Sequence, residues 1–219
     1  MNKQAEKLFN QDEKQKAVHV LVQAINNEPE QIENYLQLST YLTQLQDVEQ
    51  AEVLLQKAIG KFGAQTELLY NLGVVYYEAG RYDLAQTEFD KLNQQDANFD
   101  NNLMLARIFF KTKQYAKAAA FALTATEKAP QNSAAYLVLA DSLLSLGQLS
   151  QAKTFYQKAY QLKPTDLDAL FGIGLIDFVR DHDQTKLLAV KAKDAQYYAS
   201  KQTQLVAIEK MIRDQKDKR

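Results

Sequence analysis

Residues of the same kind recur along this chain about every 34 positions, and this interval constrains the fold more than any other feature. Pro29, Gly63, Ala97, Pro130 and Pro164 follow one another in steps of 34, 34, 33 and 34 residues. A set of alanines keeps the same steps: Ala17, Ala51, Ala85, Ala118 and Ala152. A fixed period near 34 is typical of solenoids built from helical hairpins. The period therefore predicts an all-α protein in which successive hairpins stack.

The clearest repeat runs from residue 66 to residue 98. Its first half places apolar and small residues on one helical face: Leu69, Leu72, Gly73 and Tyr76. Gly80 then ends the helix, because glycine adopts a left-handed backbone at little cost. Its second half starts a new helical face: Tyr82, Ala85, Phe89 and Leu92. The small residues Gly73 and Ala85 mark the place where two antiparallel helices cross closely.

This arrangement resembles the tetratricopeptide repeat family, whose pattern is Leu-Gly, Tyr, Ala, Phe, Ala and Pro at fixed offsets. Residues 133–166 show it most fully: Tyr136, Leu139, Ala140, Leu143, Gly147, Leu149, Ala152, Tyr156, Ala159 and Pro164. The resemblance covers nearly the whole chain. It implies a right-handed superhelical solenoid of helix-turn-helix repeats, similar to the short, free-standing bacterial members of the family.

The register predicts one solenoid over residues 1–219. A partial repeat covers 1–31, and the full repeats are 32–65, 66–98, 99–132, 133–166 and 167–194. The helical hairpins are expected near 32–61, 66–94, 99–128, 133–162 and 167–193. The single 33-residue step marks 94–99 as a shortened turn where the superhelix could deviate.

The two ends of the repeat array depart from the pattern, as the outermost repeats of a solenoid must, because they meet water. In the last repeat, Lys186 and Lys193 stand where small residues are expected, which predicts a poor second helix. Apolar residues at helical spacing then predict an amphipathic capping helix over 195–214: Tyr198, Leu205, Ile208 and Ile212.

Composition excludes several classes of site and of protein. The 219 residues include no cysteine, which rules out disulfides and thiolate metal sites. The net charge of −1 argues against a nucleic-acid footprint, which requires a basic excess. The N-terminal segment lacks the apolar core of a secretory signal, and no apolar run is long enough to span a membrane. We expect a cytoplasmic protein without a membrane partner.

No catalytic or cofactor-binding motif is recognisable. His19 lies in a second helix and is interpreted as a partly buried packing residue. His182 stands between Asp181 and Asp183, where a metal site and a polar turn between helices are both conceivable, and the turn explains the residues better. Phe171-Gly172-Ile173-Gly174 lacks the third glycine of a dinucleotide-binding loop. The sequence therefore predicts a protein that is not an enzyme and has no cofactor and no metal.

The resemblance also implies a binding surface, because in this family the first helix of each repeat lines a concave groove. Positions 5, 9 and 12 of the repeats supply the candidate groove residues, which are mostly apolar or aromatic: Leu36, Tyr70, Val74, Tyr77, Leu103, Arg107, Phe110, Leu137, Asp141, Leu144, Phe171, Leu175 and Phe178. One interpretation is a peptide or helix of a partner, anchored by aromatic side chains. The others are burial against neighbouring repeats, and occupation by the chain's own C-terminal helix or a second copy.

The groove lacks the carboxylate clamp by which some family members hold chaperone C-termini. Asn71 matches the central asparagine of that clamp, but the positions of its partners hold Leu36, Thr40, Asp100 and Met104. Recognition of chaperone tails is therefore not expected.

The sequence predicts a non-catalytic protein–protein interaction scaffold whose partner is unknown. A nucleic-acid-binding helical repeat and an accessory subunit of an enzyme complex are the alternatives. Charge also allows self-association, because residues 17–56 contain six acidic and no Lys or Arg residues, whereas ten basic and six acidic residues follow from Arg180 onward.

Overall fold

The computed structural model describes residues 1–203, 205, 206 and 210, and every regular element in this part of the chain is an α-helix. The first helices of the successive hairpins are α1 (Lys3–Asn10), α3 (Ile32–Gln44), α5 (Thr66–Glu78), α7 (Phe99–Lys111), α9 (Ser133–Ser145) and α11 (Leu167–Asp181). The second helices are α2 (Lys14–Asn27), α4 (Val48–Phe62), α6 (Tyr82–Gln95), α8 (Tyr115–Lys128), α10 (Leu149–Leu162) and α12 (Thr185–Lys193). A short helix, α13 (Ala195–Ser200), follows them. The chain is an all-α helical repeat solenoid, as the period predicts.

The helices group into two compact units, one of residues 1–97 with α1 to α6 and one from residue 98 onward with α7 to α13. Within each unit the two helices of a hairpin pack on each other, and each second helix also packs on the first helix of the next hairpin. The division falls within residues 94–99, the segment of the shortened repeat. A single solenoid over the whole chain stays a prediction.

Small side chains on both helices allow each hairpin to close. Position 8 of the first helices holds small residues, all buried: Ala5, Ser39, Gly73, Ala106, Ala140 and Gly174. The alanines of the second helices, from Ala17 to Ala152, have no exposed surface. A Cβ added to Gly73 would lie 2.8 Å from the Phe89 ring, so the helices are already at their closest approach. The steric fit at this crossing explains why small residues recur at these positions.

The turns inside the hairpins share one backbone geometry although their residues differ. Each contains one residue with positive φ, between 58° and 75°: Asp12, Gln46, Gly80, Lys113, Gly147 and His182. In the first five turns, the amide of the next residue donates to a carbonyl five residues back, as Gln114 N does to Phe109 O at 2.8 Å. This is the hydrogen bond of a Schellman helix end. Glycine is therefore present at only two of six places where a left-handed residue is required.

Replacing Lys113 by glycine is expected to stabilise the protein. Lys113 is exposed and has φ of 60°, a conformation that costs an L-residue about 1–2 kcal/mol and glycine almost nothing. After subtracting roughly 0.5–1 kcal/mol for the backbone entropy of glycine, Lys113→Gly should raise the free energy of unfolding by about 0.5–1 kcal/mol in urea titration. The control Ala120→Gly changes an exposed residue inside α8 and should lower it by about 1 kcal/mol. Equal effects of the two substitutions would contradict this account.

The last hairpin replaces the small residue of its second helix by a lysine, and the structure shows how this is tolerated. Lys186 of α12 pairs through Nζ with Asp177 Oδ2 of α11 at 2.6 Å, and Lys153 of α10 pairs with Oδ1 of the same carboxylate. Asp177 is only 4% exposed. Burial opposes its ionisation, but the two ammonium groups outweigh it and hold the pKa of Asp177 below its ordinary value. One carboxylate thus joins three helices.

Asp177→Asn should lower the free energy of unfolding by about 2 kcal/mol at pH 7, because it leaves two lysines without their shared counter-charge. This value lies below that of a fully buried pair because both lysines are partly exposed. Since the folded pKa of Asp177 is lowered, the advantage of the wild type should be present at neutral pH and disappear below about pH 4. Asp181→Asn, exposed on the same helix, is the control. A loss under about 0.5 kcal/mol would contradict the role of Asp177.

Other predictions have mixed outcomes. His19 is exposed rather than partly buried, because Ala17 and Leu21 turn the opposite face of α2 to the core; its Nε2 lies 2.9 Å from Nε2 of Gln23. His182 does end α11 in a turn. Within the helix predicted at 195–214, α13 ends at Ser200, residue 201 is a turn, and residues 202, 203, 205, 206 and 210 are again helical. Ile208 and Ile212 lie outside the described residues. Among the described helices, none is long and apolar enough to cross a membrane.

Candidate peptide-binding surface

The predicted groove residues lie on the first helices, and we call the side chains at positions 2, 5, 9 and 12 of these helices the first-helix surface. In the N-terminal unit, α3 packs beside α5, and Leu36, Tyr70, Val74 and Tyr77 are half-buried. In the C-terminal unit, α9 packs beside both α7 and α11. Each unit therefore brings its own predicted residues onto neighbouring helices.

Burial divides the nine predicted residues of the C-terminal unit into two groups. Leu144 and Leu175 belong to the core, being 2% and 0% exposed. Leu103 and Phe171 are nearly as buried. The half-buried group can present surface to a partner: Arg107, Phe110, Leu137, Asp141 and Phe178. The tight packing of neighbouring repeats thus accounts for part of the apolar pattern.

Asn71, the one match to the carboxylate clamp, has a role in helix packing. Its Nδ2 donates to the Leu36 carbonyl oxygen at 3.3 Å and to Ser39 Oγ at 3.1 Å. Both acceptors lie on α3, so the amide of Asn71 ties α5 to the preceding first helix.

Asp141 accepts a hydrogen bond from a tyrosine of its own hairpin. Tyr156 Oη on α10 donates a hydrogen bond to Asp141 Oδ1 on α9 at 2.5 Å. The ring of Tyr156 lies against Gly172 of α11, where an added Cβ would come within 2.5 Å of it. Gly172 thus provides the space through which Tyr156 reaches the first-helix surface.

The chain's own C-terminal segment occupies the first-helix surface of the last repeat. Asp168, at position 2 of this repeat, accepts hydrogen bonds from Tyr197 Oη at 2.6 Å and from Lys201 Nζ at 2.7 Å. The rings of Tyr197 and Tyr198 each approach the edge of Phe171, with centroids 6.5 Å apart. In the last repeat, the chain's own C-terminal segment therefore contacts two residues of the first-helix surface, Asp168 and Phe171.

Two family models match the sequence, both described as tetratricopeptide repeat. One covers residues 42–102 and the other residues 103–166, which together make up more than half of the chain. The chain belongs to the tetratricopeptide repeat family. Among curated proteins, none matches the sequence.

Solved tetratricopeptide repeat structures share the fold at low sequence identity. PilF of Pseudomonas aeruginosa superimposes with a TM-score of 0.75 and 18% identity, covering 92% of this chain and 95% of its own. YrrB, described as having an unusual peptide-binding site, gives 0.62 and 20% identity, covering 84% and 97%. The first such domain of Spaghetti (RPAP3), bound to an HSP90 peptide, gives 0.50 and 24% identity, covering 51% and 90%. At these identities the likeness concerns the fold alone.

In the last two repeats, the charged residues of the first-helix surface are two aspartates, Asp141 and Asp168. Burial raises the pKa of Asp141 to about 6, although the hydrogen bond from Tyr156 acts in the opposite direction. Burial and the adjacent Asp141 raise the pKa of Tyr156 as well, so its proton stays on the phenol. Asp168 behaves differently: burial opposes its ionisation, but hydrogen bonds from Lys201 and Tyr197 hold its pKa below the ordinary value.

The raised pKa of Asp141 predicts a distinctive pH dependence of stability. A carboxyl whose pKa is higher in the folded state stabilises that state most below the ordinary value of 3.8, and this contribution is lost as pH rises through 6. Relative to Asp141→Asn, the wild type should therefore gain on the order of 2 kcal/mol of unfolding free energy between pH 7 and pH 4. Urea titrations at both pH values measure it. A constant difference between the two proteins would exclude a raised pKa.

Several residues of this surface were missed by sequence reasoning. Asp168 occupies position 2, which the family assigns to the groove, so the register contains the signal for it. Gly172 was considered only within the rejected dinucleotide-binding motif, and Tyr156 only as a residue of the repeat pattern. Tyr197 and Lys201 carry no repeat register that could place them on α11. Among the described residues, no group of three or more His, Cys, Asp or Glu side chains is arranged to hold a metal ion.

Proposed function

We propose that this protein is a non-catalytic scaffold that binds a peptide or a helix of a partner protein on its first-helix surface. The observation that carries the proposal is the position of α13 on the last repeat. A short helix already rests on this surface in the last repeat, held by the Phe171 ring and by the carboxylate of Asp168. The same kind of side chains continues along α7 and α9.

The half-buried residues Phe110 and Leu137 fit this role. Aromatic and leucine side chains that remain partly accessible offer an incoming helix apolar contacts whose burial favours binding. Arg107 lies on the same helix as Phe110 and is half-buried, and we expect it to pair with an acidic group of the ligand. YrrB, which has an unusual peptide-binding site, and the Spaghetti (RPAP3) domain, which is bound to an HSP90 peptide, support the same class of function.

The alternative of nucleic-acid binding is disfavoured by the charge of this surface. The carboxylates of Asp141 and Asp168 lie on the first-helix surface of the last two repeats, where they would repel the phosphates of a nucleic acid. No observation favours an enzymatic role over that of a scaffold.

Peptides selected from a random library on the purified full chain test the proposal. The variant Phe110→Ala/Leu137→Ala should bind the selected peptides at least roughly tenfold more weakly, a loss typical of truncating interface anchors. The control Leu123→Ala/Leu146→Ala removes two exposed leucines from the same unit and should change affinity less than about twofold. Circular dichroism verifies that both variants remain folded. Equal affinities for the two variants would contradict binding on the first-helix surface.

A further inference from the structure

Asp168 makes the polar contacts that hold the C-terminal segment against the last repeat. Its carboxylate receives one phenol from Tyr197 and one ammonium from Lys201, which lie one helical turn apart. The Lys201 ammonium also lies over the Tyr197 ring, 5.2 Å from its centroid. The site around Asp168 is thus occupied by an aromatic residue and, four residues later in the chain, by a cation.

From this arrangement we infer that the Asp141–Asp168 face of the last two repeats is a docking site for a partner segment bearing an aromatic residue and, one helical turn later, a lysine or arginine. Tyr197 and Lys201 occupy this site as an internal substitute that such a segment displaces. The inference rests on the proposed function, since it specifies the partner class for one part of the first-helix surface.

Charge complementarity supports a basic ligand. Three carboxylates lie at this face, on α9, at the start of α11 and in the turn before it: Asp141, Asp168 and Asp166. Lys201 is the cation that reaches Asp168, and Lys163 lies 3.6 Å from Asp166. Asp141 accepts from a neutral phenol. Among these described groups the three carboxylates outnumber the two cations. A ligand with one or two positive charges would therefore neutralise the excess negative charge of this face.

Tyr197, Tyr198 and Leu205 of the internal substitute pack on the core as partly buried residues, and we expect a partner to displace them. Helix α13 has six residues, none of them buried, and so short a helix is marginal by itself. Its ion pair with Asp168 is partly exposed, the side chains of Asp168 and Lys201 being 53% and 29% accessible, and pairs near the surface contribute little to stability. A longer partner helix can make the same contacts and bury additional apolar surface on Leu137.

The ten-residue peptide with the sequence of residues 194–203, blocked at both ends and labelled with a fluorophore, is the probe. Fluorescence anisotropy measures its binding to three full-length proteins: the wild type, Tyr197→Ala/Lys201→Ala, and the same double variant with Asp168→Asn. The double variant should bind the peptide at least about tenfold more tightly than the wild type, because its own segment no longer competes. Addition of Asp168→Asn should abolish this gain.

Two controls separate specific docking from general attraction. A peptide with glutamate in place of the Lys201 equivalent should not bind the double variant, whereas one with arginine should. The protein control Lys193→Ala removes an exposed basic residue at the end of α12 while leaving the contacts of Asp168 and Phe171 intact, and it should bind the peptide no more tightly than the wild type. Circular dichroism confirms that each variant is folded.

Equal binding of the lysine and glutamate peptides, or equal affinities of the wild type and the double variant, would overturn the inference. If library-selected peptides still depend on Phe110 and Leu137 in that case, the proposed function stands and only the partner class is wrong. If neither the probe nor any selected peptide binds the Tyr197→Ala/Lys201→Ala variant, both proposals fail.

Discussion

The close crossing of two helices within each hairpin is the constraint on which the rest of this structure depends. Gly73 meets the ring of Phe89 at the limit of contact, and the buried alanines occupy the matching place on the second helices. Because larger side chains are excluded there, the remaining apolar residues of both helices must point to the sides, toward the neighbouring hairpins. Stacking and the first-helix surface both follow from this exclusion.

Much of the fold could be predicted because this packing leaves a regular trace in the sequence. The spacing of Leu72, Gly73, Ala85 and Phe89 placed the helices of their hairpin correctly, and the same register located the others. The turns were less predictable, since Asp12, Gln46 and Lys113 carry no glycine signal for their positive φ. Their conformation is imposed by the hydrogen bond that closes the turn.

The candidate surface was only partly predictable from the same register. Positions 5, 9 and 12 correctly identified residues on the first helices, but the register does not report how deeply each is buried, and Leu175 is in the core. The contact of Lys201 with Asp168 depends on how the chain returns after α12, where the repeat has ended. Lys186 likewise departs from the pattern of small residues, and the sequence does not show that its ammonium group pairs with the buried Asp177.

The repeated turn has a consequence for how the protein folds. Each hairpin closes through contacts between residues fewer than about 30 positions apart, and in the first five hairpins the turn hydrogen bond spans only five. Such local contacts require little loop closure, so they form rapidly and give a low contact order. Several hairpins can therefore serve as nuclei, and the chain can assemble outward from any of them. Opening can proceed by the reverse route, beginning with the terminal hairpins, which have a neighbour on one side only.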